Sequence, residues 1–234
     1  MIPFINKQKE IKFITNNKFL LNEFPIEKYS KNLPNWYKNI DININKYTKN
    51  NKLSSKACSG MLDYFKKVYI LRWNFDLEIN INDDETFNYK TINNNMLKSI
   101  TWFSKEMYSM HTPIADNKLT LNTLKLETNW KIISHSRGSV LFTEPFFDYQ
   151  RDYRIIPGII EPKFSNSVIV IIEPLKEKII LKRGEPALAI IPLENQIITN
   201  SLGNKKDLDL IEKNNYEFET NNKYWYEKNR IKNT

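Results

Sequence analysis

Between residues 130 and 193, short apolar runs alternate with turns marked by Pro and Gly. The runs cover residues 130–134, 139–143, 153–160, 167–172, 178–181 and 187–191. β-Branched and aromatic side chains fill them, and each is too short for a stable helix, so the pattern predicts a compact all-β module. Upstream, residues 68–79 alternate strictly. Tyr69, Leu71, Trp73, Phe75, Leu77 and Ile79 share one parity, while Ile70, Arg72, Asn74, Asp76 and Glu78 share the other. This predicts one half-buried strand with a single apolar face. Residues 80–85 supply a turn, and residues 86–92 return as its hairpin partner. Residues 100–103 read as a further short strand, and 119–127 alternate weakly into the module.

The flanks carry other signals. Residues 1–53 mix apolar positions with Asn and Lys, and Pro3, Pro25 and Pro34 break any long helix. They read as an extended arm with one or two short strands, a helical turn near Pro34-Asn-Trp-Tyr-Lys38 and a polar linker. Residues 54–67 predict a helix capped by Ser54 or Ser55, with Ala57, Met61, Leu62 and Phe65 on one side. Gly60 inside it costs about 1 kcal/mol relative to Ala, which suggests close packing against a strand. Cys58 falls within the same helix and reads as a buried thiol. After Leu193 the chain becomes charged, and segments near 207–213 and 224–230 predict a peripheral helical tail. The expected organisation is an arm and linker (1–53), a β domain (54–200) and a helical tail (201–234).

Composition narrows the class. Of 234 residues, 41% are hydrophobic and 13% aromatic, which excludes a wholly disordered chain. The single cysteine cannot form an intrachain disulfide. No apolar run approaches the roughly 20 residues of a membrane span. Nor do the first residues supply the apolar core, about 7–15 residues long, of a signal peptide. The net charge of +8 comes from lysines scattered among Asn and Ile with acids interspersed, the bias of an AT-rich genome. Phosphate binding draws on a concentrated Lys/Arg stripe, and none is present, so nucleic acid is the weaker expectation for a partner.

The central module has a distinctive word order. Arg137-Gly138-Ser139 opens a strand, Thr143-Glu144-Pro145 closes it, Gly158-Ile-Ile-Glu161 follows, and Gly184-Glu-Pro-Ala-Leu-Ala-Ile-Ile-Pro192 ends it. With the early Pro34-Asn-Trp36 segment and the helix-strand unit at 56–79, this resembles a group of uncharacterised proteins common in tailed-phage genomes. More distantly it is similar to the β-clip of dUTPases and dCTP deaminases. That second resemblance implies Glu161 at the position of a water-orienting or sugar-binding carboxylate and Phe164 at that of a ring packing on deoxyribose. Arg137 would stand near the phosphates. Arg137-Gly-Ser departs from the phosphate-binding motif, Ala189 stands near the usual Gln, and no Gly-rich C-terminal motif follows. The expected fold is therefore mainly β, or α+β, with a β-clip-like or jelly-roll-like core.

Other chemistry is sparse. His111 and His135, with Asp116 or Glu144, are the only material for a two-histidine metal site, and their spacing places no two ligands together. No metal or other cofactor is expected. Ser139 lacks a Gly-x-Ser-x-Gly elbow. Glu144, Asp148, Asp152 and Glu161 read as solvated turn carboxylates. Two aromatic clusters lie beside cations: Phe146, Phe147 and Tyr149 near Arg151 and Arg154, and Tyr224, Trp225 and Tyr226 near Lys228 and Arg230. Such clusters stack on bases or form interfaces, and the interface is the preferred reading. The leading expectation is a non-enzymatic phage or viral protein, found in the virion or host cytoplasm. It would assemble with itself, a trimer being one form, and with other virion proteins. The alternative is a dUTPase-like nucleotide-binding protein or pyrophosphohydrolase, and the third reading is a nucleic-acid-binding module.

Overall fold

The computed structural model describes residues 9–42, 53–82, 86–91, 98–103, 123–135, 138–146, 151–163 and 166–230, excepting the side chains of 102, 103, 218, 219 and 221–230. The chain is mainly β, with a helical C-terminal segment. One sheet contains β1 (Lys9–Thr15), β6 (Ser99–Phe103), β7 (Thr123–Ser134), β9 (Tyr153–Ile155), β11 (Ser167–Pro174) and β14 (Gln196–Leu202). Its order is β14-β1-β7-β11-β9, with β6 also paired to β7. The second sheet runs β10-β8-β13-β3-β2, from β2 (Glu27–Lys28), β3 (Tyr69–Arg72), β8 (Val140–Thr143), β10 (Gly158–Ile160) and β13 (Pro186–Pro192). A three-stranded sheet, β12-β4-β5, joins β4 (Leu77–Ile81), β5 (Phe87–Thr91) and β12 (Lys178–Leu181). The β4–β5 hairpin is the one its alternation predicts.

Alternation explains how the two larger sheets meet. Along β7, Leu124, Leu126, Trp130 and Ile132 are buried, and they share one core with Val140, Phe142, Leu188 and Ile190 of the second sheet. Removing this apolar surface from water, at about 25 cal/mol per Å², is the main force holding the sandwich. β7 is 12 residues long, so one side of it accommodates both β1 and β6, while β11 takes the other.

The predicted single strand over 68–79 is two strands in two sheets. All six odd-numbered apolar residues are buried as expected. At 73–76, however, the chain crosses from the second sheet to the three-stranded one, alongside the turn between β12 and β13. Trp73 N–H donates to the Glu185 carbonyl (2.9 Å), and Gly184 N–H to the Trp73 carbonyl (2.7 Å). Arg183 N–H donates to Asp76 Oδ1 (2.8 Å). Gly184 has φ of 86°, a conformation that a Cβ penalises.

The early helix is also shorter than predicted. Ser54 accepts from Lys56 N–H and caps a single 3₁₀ turn, Ser55–Ala57, before α3 (Ser59–Lys67) begins. α1 (Lys18–Glu23) and α2 (Asn35–Asn39) precede it. Cys58 is therefore the N-cap of α3, and it is exposed rather than buried. Gly60 faces no strand, since a Cβ there would meet only the Cys58 sulfur, at 3.8 Å.

The first and last strands both lie in the first sheet. Lys9–Thr15, read from sequence as part of an arm, is a strand between β14 and β7, and it pairs in parallel with β14. β14 had no counterpart among the predicted elements. α4 (Lys205–Arg230) then spans about 39 Å at 1.5 Å per residue. Asn204 and Asp207 cap it reciprocally: Asn204 Oδ1 accepts Asp207 N–H (3.0 Å), and Asp207 Oδ2 accepts Asn204 N–H (3.2 Å). Asp207, Ile211 and Asn214 form its buried stripe, with Ile211 against Ile14 and Ile133. Among the described residues, no helix is long and apolar enough to cross a membrane.

Gly138, two residues before β8, packs against Gln196 at the start of β14. A Cβ on it would lie 1.7 Å from Gln196 Nε2 and 2.8 Å from Cδ. Gln196 is buried. Gly138→Ala is expected to force it aside and cost about 1–3 kcal/mol. A urea midpoint equal to that of the native chain would contradict this close approach.

Candidate functional site

The residues with the most concentrated chemistry meet around the turn at 183–186. Arg72, at the end of β3, donates from one terminal nitrogen to the Gly184 carbonyl (2.9 Å) and from the other to the Asn32 carbonyl (3.2 Å). It therefore ties the turn to the loop that leads into α2. Its Nε is buried without a hydrogen-bond partner among the described residues. Burial pushes this guanidinium below its ordinary pKa, with Tyr29 and Glu27 opposing the shift. Arg151 donates to the Pro186 carbonyl, two residues on, and also approaches Tyr153 Oη (3.3 Å) with its guanidinium over the Tyr153 ring. Tyr153 Oη in turn accepts from Trp73 Nε1 (3.0 Å). Arg183 lies over the rings of Phe19 and Phe24, at 5.4 and 5.0 Å. Two arginines thus hold the turn by its carbonyls, and a third, Arg183, extends from it over two rings.

A chain of aromatic rings extends from this cluster. Trp36 contacts Tyr37 (5.6 Å), Tyr37 contacts Phe65 (4.7 Å), Phe65 contacts Tyr64 (5.7 Å), and Tyr64 contacts Phe146 (5.3 Å). Its two ends, Trp36 and Phe146, are exposed, whereas Tyr37 and Phe65 are buried. The Tyr64 hydroxyl accepts the Phe146 N–H (3.0 Å). Burial raises the Tyr64 pKa to about 12, against the lowering influence of that bond and of Arg151. Trp36, Tyr29, Pro34, Arg72 and Pro186 line a cavity of about 220 Å³. The Pro-x-Trp and Gly-x-Pro segments singled out in the sequence are therefore neighbours in space. Arg72, bonded to the Gly184 and Asn32 carbonyls, holds the two together.

The second sheet adds an apolar row. Ile159 of β10 pairs with Leu141 of β8, which pairs with Ile191 of β13. Their neighbours Val140, Phe142 and Ile190 face the main core, so this row faces outward. At Ile191 it meets the small core formed by Tyr29, Tyr37, Phe65, Val68, Ile70 and Ala189, which α3 helps to cover. At the other end, Ile159 is 64% exposed on a strand whose only described partner is β8. Phe146, 52% exposed, follows the end of β8 and rests on α3 through Tyr64.

The other sequence candidates fall elsewhere. Glu161 is exposed, in the turn after β10. The adjoining Pro162 carbonyl accepts from Asn166 Nδ2 (2.8 Å) and Asn214 Nδ2 (3.3 Å), which joins this corner to α4. Arg137 and Phe164 lie outside the described residues, as do His111, Phe147, Tyr149, Asp116 and Asp148. His135 is exposed at the end of β7, Glu144 is half-buried, and Asp152 pairs with Lys176 (2.6 Å). Among the described residues, no three His, Cys, Asp or Glu side chains group to hold a metal. Tyr224 and Trp225 belong to α4 in a stretch whose side chains are not described.

Asn166 is the polar anchor that sequence reading missed. It is buried, and its Nδ2 also donates to the Ile132 carbonyl (2.8 Å). Asn166→Ala is expected to strand the buried Ile132 carbonyl and leave that of Pro162 with only the longer bond from Asn214, at a cost of about 2–3 kcal/mol. Asn214→Ala, which removes one longer bond, is expected to cost less. Equal urea midpoints for the two variants would refute this ordering. No protein-family model matches the chain, and no curated protein is significantly similar to it.

Proposed function

We propose that the chain is a non-enzymatic, self-assembling phage or viral protein, a component of the virion. In this reading, copies meet through the outward face of the second sheet and the edge of β10. The observation that carries the reading is the row Ile159–Leu141–Ile191, which runs from beneath α3 to the edge strand. An edge strand with an exposed isoleucine is a template for further strand pairing, and proteins ordinarily blunt such edges with charge, Pro or cover. A second copy suits this edge because two β10 strands related by a two-fold axis pair antiparallel and bring both isoleucines to one contact. Exposed Phe146 and Trp36, beside arginines, have the composition of an interface core. The phage or viral setting rests on the resemblance of the module's word order.

Sedimentation velocity over a wide concentration range tests the proposal. The expected result is a reversible, concentration-dependent oligomer. A monomer at every concentration would overturn it.

A further inference from the structure

A second cavity, of about 630 Å³, opens on the first sheet. Its size falls within the roughly 300–1,000 Å³ of small-molecule sites. Three lysines from three elements enter its wall: Lys18 at the start of α1, Lys98 just before β6, and Lys131 on β7. Asn16 and Asn129 add amides, Phe19 adds a ring, and no carboxylate lines it among the described residues. On β7, Glu127, Asn129 and Lys131 share a parity, opposite to the core-facing Leu126 and Trp130.

The charge balance around this cavity is uneven. Lys98 Nζ lies 2.6 Å from Glu127 Oε1. Ser167 Oγ donates to the same oxygen (3.1 Å) and accepts from Lys131 Nζ (3.0 Å). One carboxylate therefore serves two lysines. Burial lowers the Lys131 pKa, and Lys98 lowers it further, against the attraction of Glu127. Asp207, which precedes the lining Leu208, is already committed to Lys12 (2.8 Å) and to capping α4. A surplus of positive charge thus remains around a partly desolvated cavity with amides and a ring in its wall.

We propose that this cavity binds a small phosphoanion, a phosphoryl or pyrophosphoryl group held between Lys98 and Lys131. Lys18 and the two amides complete the shell. Phosphate oxygens accept several charge-assisted hydrogen bonds at once, which matches convergent ammonium donors better than a single carboxylate would.

Isothermal titration of the full chain with inorganic pyrophosphate tests this. The wild type is expected to bind saturably. Lys131→Met and Lys98→Met are each expected to bind at least about tenfold more weakly, the loss of one charge-assisted contact. Lys176→Met removes the same charge from the exposed turn after β11 and is expected to leave the affinity unchanged. Lys98 has a half-exposed side chain, so its variant remains informative if the Lys131 variant unfolds. No binding by folded wild type would overturn the proposal. So would equal weakening in Lys98→Met and Lys176→Met, because net charge alone would then explain the binding.

Discussion

Trp73→Ala is expected to lower the stability of the chain by about 3–5 kcal/mol, the usual range for removing a fully buried aromatic ring. The ring is 1% exposed, lies 5.4 Å from Phe75, and donates from Nε1 to Tyr153 Oη. Truncation therefore leaves a cavity where the β3–β4 crossover meets the turn at 183–186. It also removes a donor from a hydroxyl buried with it, adding about 1 kcal/mol. Against a typical total of about 5–15 kcal/mol, this brings the chain close to unfolding. Trp73→Phe keeps most of the ring and loses the hydrogen bond, so about 1–2 kcal/mol is expected. Urea denaturation separates the two: both midpoints should fall with an unchanged slope, and the Ala variant much further. A Phe variant as damaged as the Ala variant would show that the bond to Tyr153, and not ring packing, dominates here.

Ile159→Asp is expected to weaken self-association by about a hundredfold or more while leaving the fold intact. The side chain is 64% exposed in one copy, so its loss costs the isolated subunit little. In a two-fold assembly each copy contributes one isoleucine, whose full burial is worth about 1.5–3 kcal/mol. The substitution removes that gain twice and places two like charges at one contact, where burial without a partner is unfavourable. A hundredfold change corresponds to about 2.7 kcal/mol. Sedimentation velocity reads the assembly, and the urea midpoint reads the fold. Undiminished association with an unchanged midpoint would exclude β10 from the contact and move attention to Phe146 and Trp36. Asp at Leu141 provides a second probe nearer the covered end of the row.

Local pattern was enough for most of the central strands. β8, β11, β12, β13 and the β4–β5 hairpin lie where apolar runs or alternation place them, because a half-buried strand imposes a period of two on its own residues. β1 and β14 were less legible. Their burial depends on pairing with each other, across more than 180 residues of intervening chain, and Asn, Lys, Thr and Ser interrupt their apolar positions. The break at 73–76 was invisible for a related reason. Its parity is unbroken, and it is the hydrogen bonds that Trp73 and Asp76 share with the distant turn at 183–185 that redirect the chain.

The candidate sites divide the same way. From sequence alone came the aromatic and basic composition near Phe146 and the Pro-x-Trp and Gly-x-Pro segments. Their meeting at Arg72, the outward row ending at Ile159 and the lysine-lined cavity required the tertiary structure. Residue type and spacing report what each side chain can do and which face of its own strand it occupies. Which faces remain uncovered, and which charges lack a counterion, depends on elements far apart in the chain, and only packing brings those together.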